Sequence, residues 1–356
     1  MTVSPKDIAG YIHKLYFPPS RKVSWSFDDF IGRHPVRYFG YCRWALFEAL
    51  QAAGIVKDDK VLIPGFICRD LLSAINTIGA IPSYYNVDKH TQLADDPDSL
   101  PWAKVILAVN YFGFPQKLEP FHRYCKRTGA VLIEDNAHGF LSHDEEGQAL
   151  GTRGDIGIFS LRKTLMLQNG AAMVVNACDK SYTIKPQIEI KQAGMSISFA
   201  TKLFLKKSSW FINLRMIRYL SLFIRTVRKI TTGHWIAPSA PDAEFRLPVN
   251  AAPCIELRYS LDYLDVEQEI SRRRGLYRLL DSVMRQNDFE PVFATLSAQV
   301  VPYTYPFYAS GHRIDKAKEV LKKLHLECFP WPELPDAVAP EAPTEYKSVW
   351  MIPFLW

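Results

Sequence analysis

The chain has few cysteines and no two of them close together: Cys42, Cys68, Cys125, Cys178, Cys254 and Cys328 are scattered over 356 residues. That spacing excludes a zinc knuckle and a disulfide-stapled scaffold, and it predicts reduced thiols in a cytoplasmic protein with no metal site. Uncharged apolar runs of membrane-span length are missing as well. Met1–Tyr16 lacks the unbroken apolar core of a signal peptide, because Lys6, Asp7, His13 and Lys14 interrupt it. Acidic residues are absent from 201–233, where Lys202, Lys206, Lys207, Arg215, Arg218, Arg225, Arg228 and Lys229 stand. Take those eight from the 43 Lys and Arg and the remainder, 35, falls below the 37 Asp and Glu, so the net charge of +6 belongs to one segment. A general nucleic-acid binder would spread its charge more widely.

What is present is an ordinary globular composition, 48% hydrophobic and 22% charged, enough to bury a substantial core in two domains or in one large domain with a lobe. From about Tyr38 to Asn176, short β-rich runs alternate with helical stripes, the pattern of a parallel sheet covered by helices. Helices are expected over Arg43–Ala53, Arg69–Ile78 and Lys117–Arg127, and strands over Val61–Phe66, Ile81–Val87, Val105–Phe112 and Ala130–Asp135. Ile156–Leu161 and Ala171–Asn176 have the composition of a strand pair around a loop. After a linker at Pro238-Ser239-Ala240-Pro241, a charged helix is expected over Ile255–Leu280, then Val300–Tyr308, Ile314–Leu324 and a proline-rich tail as a smaller α+β lobe packed by Trp331, Trp350 and Trp356. The domains expected are an N-terminal segment 1–36, a large domain 37–245 and a small C-terminal domain 246–356.

Two apolar runs end abruptly in a charge. Ala130-Val131-Leu132-Ile133-Glu134-Asp135 delivers a carboxylate and Gly157-Ile158-Phe159-Ser160-Leu161-Arg162-Lys163 an amine, both to the carboxyl edge of the sheet, where such sheets bind ligands. Taken singly, a strand-ending Asp serves as a helix N-cap and such a lysine reaches solvent. Together they resemble the two halves of a pyridoxal-phosphate site, in which a lysine holds the cofactor aldehyde as a Schiff base and an acid keeps the ring nitrogen protonated.

The ordered set of segments resembles the DegT/DnrJ/StrS-type sugar aminotransferases. GYCRWALFEALQAAG (residues 40–54) is similar to the family's opening turn and helix, VLIPGF and GAIPSYYNVD to its next strands, NYFGFP to its Gly-x-Pro turn, IEDNAHG to its Asp-bearing strand, GTRGDIGIFSLRK to its lysine segment, and QNGAAMVVN to the strand beyond. The resemblance implies an aspartate-aminotransferase-like α/β fold and pyridoxal 5'-phosphate as cofactor. It implies amino transfer from glutamate to a nucleotide-linked keto-sugar, in a homodimer. Lys163 would be the Schiff-base lysine and general base and Asp135 the partner of the ring nitrogen, while Ser160, Cys42 and Arg43 would hold the phosphate at a helix N-terminus. His138 stands where the family has Gln, near the ring hydroxyl. The lysine follows Ser160 two residues sooner than in the common form. The ring-stacking aromatic aligns near Cys68, leaving Phe66 as the candidate, and a partner-donated Asn aligns near Glu244, with Asn250 or Arg246 as substitutes. A dehydratase of the same family would carry His in place of Lys163, and an idle cofactor-binding protein would not need the Lys163 and Asp135 pair. For 201–233, a solvated basic face, a phosphate-binding patch and peripheral attachment to an anionic membrane all stay open.

Overall fold

The continuous apolar runs become the middle of a sheet. In the computed structural model, residues 25–354 are described except 166, 178–181, 183, 189–198, 263 and, within 202–238, all but 204, 219, 222, 223, 226, 227, 229–231 and 233. A short helix α1 (Phe27–Phe30), capped by the Ser26 hydroxyl, precedes strand β1 (Val36–Phe39). With β2 (Lys60–Pro64), β3 (Ile81–Tyr85), β4 (Val105–Val109), β5 (Val131–Asp135), β6 (Ile156–Phe159) and β7 (Ala171–Val175), it forms, among the described residues, a seven-stranded sheet of order β1-β7-β6-β5-β4-β2-β3. From β3 through β6 the strands are parallel, and β7 and β1 close one edge antiparallel. The register sets Val109 beside Asp135 and Asp135 beside Ile158, so three strands deliver their following residues to one edge.

The strands with unbroken apolar sequence are covered on both faces, as parallel strands must be. Every residue of β4, β6 and β7 is buried. Helix α2 (Cys42–Ala52) lays Ala45, Leu46, Ala49 and Leu50 against β6 and β7. Helices α3 (Leu72–Ile78) and α4 (Glu119–Thr128) follow, α4 with Glu119 in its first turn and Lys126 and Arg127 in its last, in the sense of its dipole. The strand expected to run to Phe112 stops at Val109, because the chain turns through Tyr111–Gly113 with Phe112 in the left-handed region (φ 57°).

The single helix expected over 255–280 is two, α5 (Glu256–Asp262) and α6 (Val266–Gln286), the second started by the Asp265 carboxylate, which accepts from Gln268 N at 3.0 Å. Beyond them β8 (Glu290–Pro291), β9 (Thr304–Tyr308), β10 (Phe329–Pro330) and β11 (Val349–Pro353) make an antiparallel sheet of order β10-β11-β9-β8, with α7 (His312–Lys323) and the short α8 (Thr344–Ser348) between strands. Neither β1 nor β11 is foreseen by the sequence reading. The core is continuous between the two sheets: Phe66 stacks on Trp331 at 4.4 Å, and Phe114 on Phe293 at 3.7 Å. Trp331 therefore packs across to the large sheet as well as within its own lobe, and Trp356 lies outside the described residues.

In the basic segment Lys202, Lys206, Lys207, Arg215, Arg218, Arg225 and Arg228 also lie outside the described residues. Phe204, Phe223 and Ile230, which are described, are exposed. No helix among the described residues is long and apolar enough to cross a membrane.

Candidate active site

The site gathers at the carboxyl ends of β4, β5 and β6. Asp135 ends β5 almost fully buried, with its Oδ1 accepting from Ala137 N at 2.9 Å. Desolvation raises its pKa, and the Ala137 N–H and the Lys163 charge only partly pull it back. Lys163 closes the 3-10 turn Leu161–Lys163 that follows β6 and is half-buried. The two charges that the sequence places after separate apolar runs thus act on one another.

Between them stands His138. Its Nε2 is 2.9 Å from Lys163 Nζ, and its Nδ1 accepts from Phe112 N at 3.3 Å. Burial, and after it the charge of Lys163, push the ring well below the usual histidine range, so it is neutral. A neutral imidazole that accepts at Nδ1 carries its single proton on Nε2, so the 2.9 Å contact is a hydrogen bond from Nε2–H only to the neutral amine form of Lys163, because an ammonium has no lone pair to accept it. Tyr303 lies flat under the ring at 4.5 Å and 7°. Phe112 can offer its N–H only because its left-handed turn aims it there, and the next residue, Gly113, has φ +97°. A Cβ on Gly113 would lie 2.6 Å from Val301 O, at the segment that leads to Tyr303. Gly113→Ala is expected to destabilise the fold by about 1–3 kcal/mol, read as a lower urea midpoint. An unchanged midpoint would show that this turn relaxes freely.

Opposite, α2 opens toward the site. Cys42 begins the helix; desolvation and the Asp135 charge push its thiol well up, against Lys163, Arg162 and Arg43. Those opposing influences place an acid and three cations around one helix N-terminus, where free N–H groups favour an anion. Arg43 is 3.6 Å from Asp70, and Arg162 lies over the Tyr41 ring at 5.3 Å. Ser160, the residue after β6, is buried. The Thr164 hydroxyl, just after Lys163, is buried with no hydrogen-bond partner. The sequence reading passed over Thr164, whose only signal is its place beside the lysine.

These residues fit pyridoxal phosphate. A buried carboxylate held up by desolvation suits a pyridinium, a cationic helix N-terminus suits a phosphate dianion, and an unsatisfied hydroxyl is left to bond either. Some expected residues do other work. Phe66 is buried against Trp331, Tyr111 and Tyr346 and has no face left for a cofactor ring. Glu244 is buried, 3.5 Å from Arg69, and its Oε1 accepts from Asp336 N at 2.7 Å, so it ties the C-terminal lobe to the loop after β2. Arg246 is exposed and pairs with Asp242 at 3.1 Å, whereas the Asn250 side chain is exposed and only its carbonyl lies close against Gly40, which leaves that side chain open to a partner subunit. Below the site the sequence did not signal a second network, in which the fully buried Glu134 pairs with Arg153 at 2.6 Å and accepts from Asn110 at 2.8 Å.

A family model for DegT/DnrJ/EryC1/StrS aminotransferases matches residues 18–215, more than half of the chain. The L-glutamine:2-deoxy-scyllo-inosose aminotransferase of Streptomyces kanamyceticus is 32% identical over 133 residues, 35% of this chain and 30% of that protein. The GDP-perosamine synthase of Escherichia coli O157:H7 is 32% identical over 138 residues, 37% of this chain and 38% of that protein. The chain therefore spans about a third of the length of these relatives. The solved aminotransferase TlmJ from Streptoalloteichus hindustanus superimposes over 97% of this chain and 85% of its own with a TM-score of 0.57 at 16% identity, which shows the shared fold.

Proposed function

The chain belongs to the DegT/DnrJ/EryC1/StrS aminotransferase family, and from that membership we propose that it is a pyridoxal-phosphate-dependent aminotransferase placing an amino group on a keto-sugar. The observation that carries the proposal is the convergence of Lys163, His138 and Asp135: Lys163 touches His138, its charge acts on Asp135, and both charges act on Cys42 at the α2 N-terminus. Glutamate is the donor and a nucleotide-linked keto-sugar the acceptor in this reading, and the enzyme works as a homodimer in the cytoplasm. Relatives named for a glutamine donor, for an inosose and for a perosamine product support the amino-transfer chemistry and a cyclic polyhydroxylated acceptor.

When bound, the cofactor supplies a protonated ring that takes up electron density from the substrate carbon. Asp135 keeps the ring nitrogen protonated, because a carboxylate with little water around it favours a cation at its side. Lys163 holds the cofactor and afterwards moves a proton at its Nζ. When Lys163 is the neutral amine, His138 donates from Nε2 to that nitrogen and orients its lone pair, with Tyr303 and Phe112 N–H preventing the ring from turning. Cys42, Arg43 and Ser160 bind the phosphate, and the buried aromatic wall of Phe112 and Trp331 excludes water. A lysine at 163 disfavours the dehydratase alternative.

The test needs no sugar. Purified protein incubated with pyridoxal phosphate is expected to show long-wavelength absorbance that glutamate converts to the spectrum of the amine form. A protein that takes up no cofactor refutes the proposal outright; one that takes it up and is not bleached by glutamate or glutamine is an idle binder.

A further inference from the structure

Part of the charge on α6 points into the protein. Arg272 and Arg273 are both buried, Arg273 at 1% exposure. Both reach Glu269: Arg272 Nη2 and Arg273 Nε each lie 2.6 Å from its Oε1, and Arg272 Nε is 2.8 Å from Oε2. Burial resists ionisation of that carboxyl, but the two arginine charges and their hydrogen bonds prevail and hold it at about 2. Arg273 spends its remaining donors on main-chain carbonyls far away in sequence. Nη2 donates to Thr164 O at 3.0 Å, and Nη1 to Pro302 O at 3.3 Å and Tyr303 O at 3.4 Å. Thr164 is the residue after Lys163, and Tyr303 is the ring under His138. One guanidinium thus joins the peptide that carries the amine to the support of the imidazole that touches that amine. Glu269, one helical turn before Arg273, fixes the guanidinium plane.

Resting on the function proposed above, we propose that Arg273, oriented by Glu269, is the positioning residue that sets how Lys163 meets the cofactor aldehyde. A surface role is excluded by its burial. A role in packing alone would not need three carbonyls from two segments of the site, and a branched planar cation reaches them where an ammonium on the same stem reaches one. The C-terminal lobe thereby holds the lysine turn of the large sheet.

The test compares two forms of the cofactor. Pyridoxal phosphate needs the Lys163 amine in place, whereas pyridoxamine phosphate binds the same pocket without bonding to it. In Arg273→Lys with native circular dichroism, the rate of covalent capture of pyridoxal phosphate, trapped with borohydride and read by mass spectrometry on the Lys163 peptide, is expected to fall tenfold or more. Affinity for pyridoxamine phosphate, read by fluorescence titration, is expected to stay within about twofold. Guanidinium ion added to Arg273→Ala is expected to restore part of the capture rate. Capture at the wild-type rate in Arg273→Lys overturns the proposal, and so does an equal loss for both cofactors, which a merely structural role would give. If neither Arg273 variant folds, Glu269→Gln decides by the same comparison, and equal losses or no loss again overturn it. Failure of the wild-type protein to bind either cofactor would instead refute the aminotransferase reading itself.

Discussion

Lys163→Ala is expected to lower transamination by about a thousandfold or more and to abolish borohydride-stable attachment of the cofactor. Among the described residues at the site, none substitutes for this amine. The nearest basic group, His138, already accepts the Phe112 N–H at Nδ1 and carries its proton on Nε2, so no lone pair of the ring faces the pocket. Arg43 and Arg162 are cations without a lone pair at neutral pH. The variant keeps the fold, because Lys163 is half-buried and the turn that bears it is held by main-chain bonds, Lys163 N to Ser160 O at 2.9 Å and Thr164 N to Leu161 O at 3.0 Å. Single-turnover reduction of the cofactor spectrum by glutamate, with wild type beside it, is the measurement. Turnover above a tenth of wild type would remove Lys163 from the mechanism.

Asp135→Asn is expected to act in opposite directions on activity and on stability. If the carboxylate raises the ring nitrogen's pKa by about two units, its loss costs about a hundredfold in rate. The cofactor-free protein, by contrast, becomes more stable. Desolvation raises the Asp135 pKa above its unfolded value of about 3.9, so the folded state holds this proton more tightly than the unfolded state does. Stability from this group is complete at low pH and is lost as pH rises through the raised value. Asn carries no charge to desolvate, and its Oδ1 can still accept from Ala137 N. A gain of about 1–3 kcal/mol at pH 7 is expected, shrinking toward pH 4. Thermal melts of both proteins without cofactor, at pH 4 and pH 7, decide it. An Asn variant less stable than wild type at both pH values would mean that the carboxylate is already satisfied in the empty pocket.

Much of the large sheet could be read from the chain before any coordinates. Strands β2, β4, β5, β6 and β7 announce themselves as short apolar runs, and the charges after β5 and β6 mark the ligand-binding edge. Strand β1 escaped because Val36-Arg37-Tyr38-Phe39 is four residues long and mixes a charge into an edge position, though Arg37 is buried against Glu48 at 2.9 Å. Strand β11 escaped because Val349–Pro353 follows a proline-rich stretch and itself ends in proline, at a position where it pairs with β9 alone and proline is tolerated as on an edge strand. The break between α5 and α6 was hidden because apolar periodicity continues across it, and only the Asp265 cap marks the restart. Phe66 was the candidate for the cofactor ring as the aromatic nearest the aligned Cys68, but an aromatic's neighbours are set by whatever packs on it, here Trp331 from the other lobe.

By itself the sequence determined the sheet's central strands, the edge at which the lysine and the aspartate appear, and the family to which that pair points. These follow from local patterns, the covering of apolar runs on both faces and the polarity of the residue after each strand. Only the tertiary structure decided that His138 touches Lys163, that Tyr303 and Phe112 lock its ring, that Phe66 is spent on the core, and that Arg273 reaches the lysine turn. Each of those contacts joins residues brought near one another by burial of the shared core, and a one-dimensional pattern carries no record of which distant side chain that burial selects.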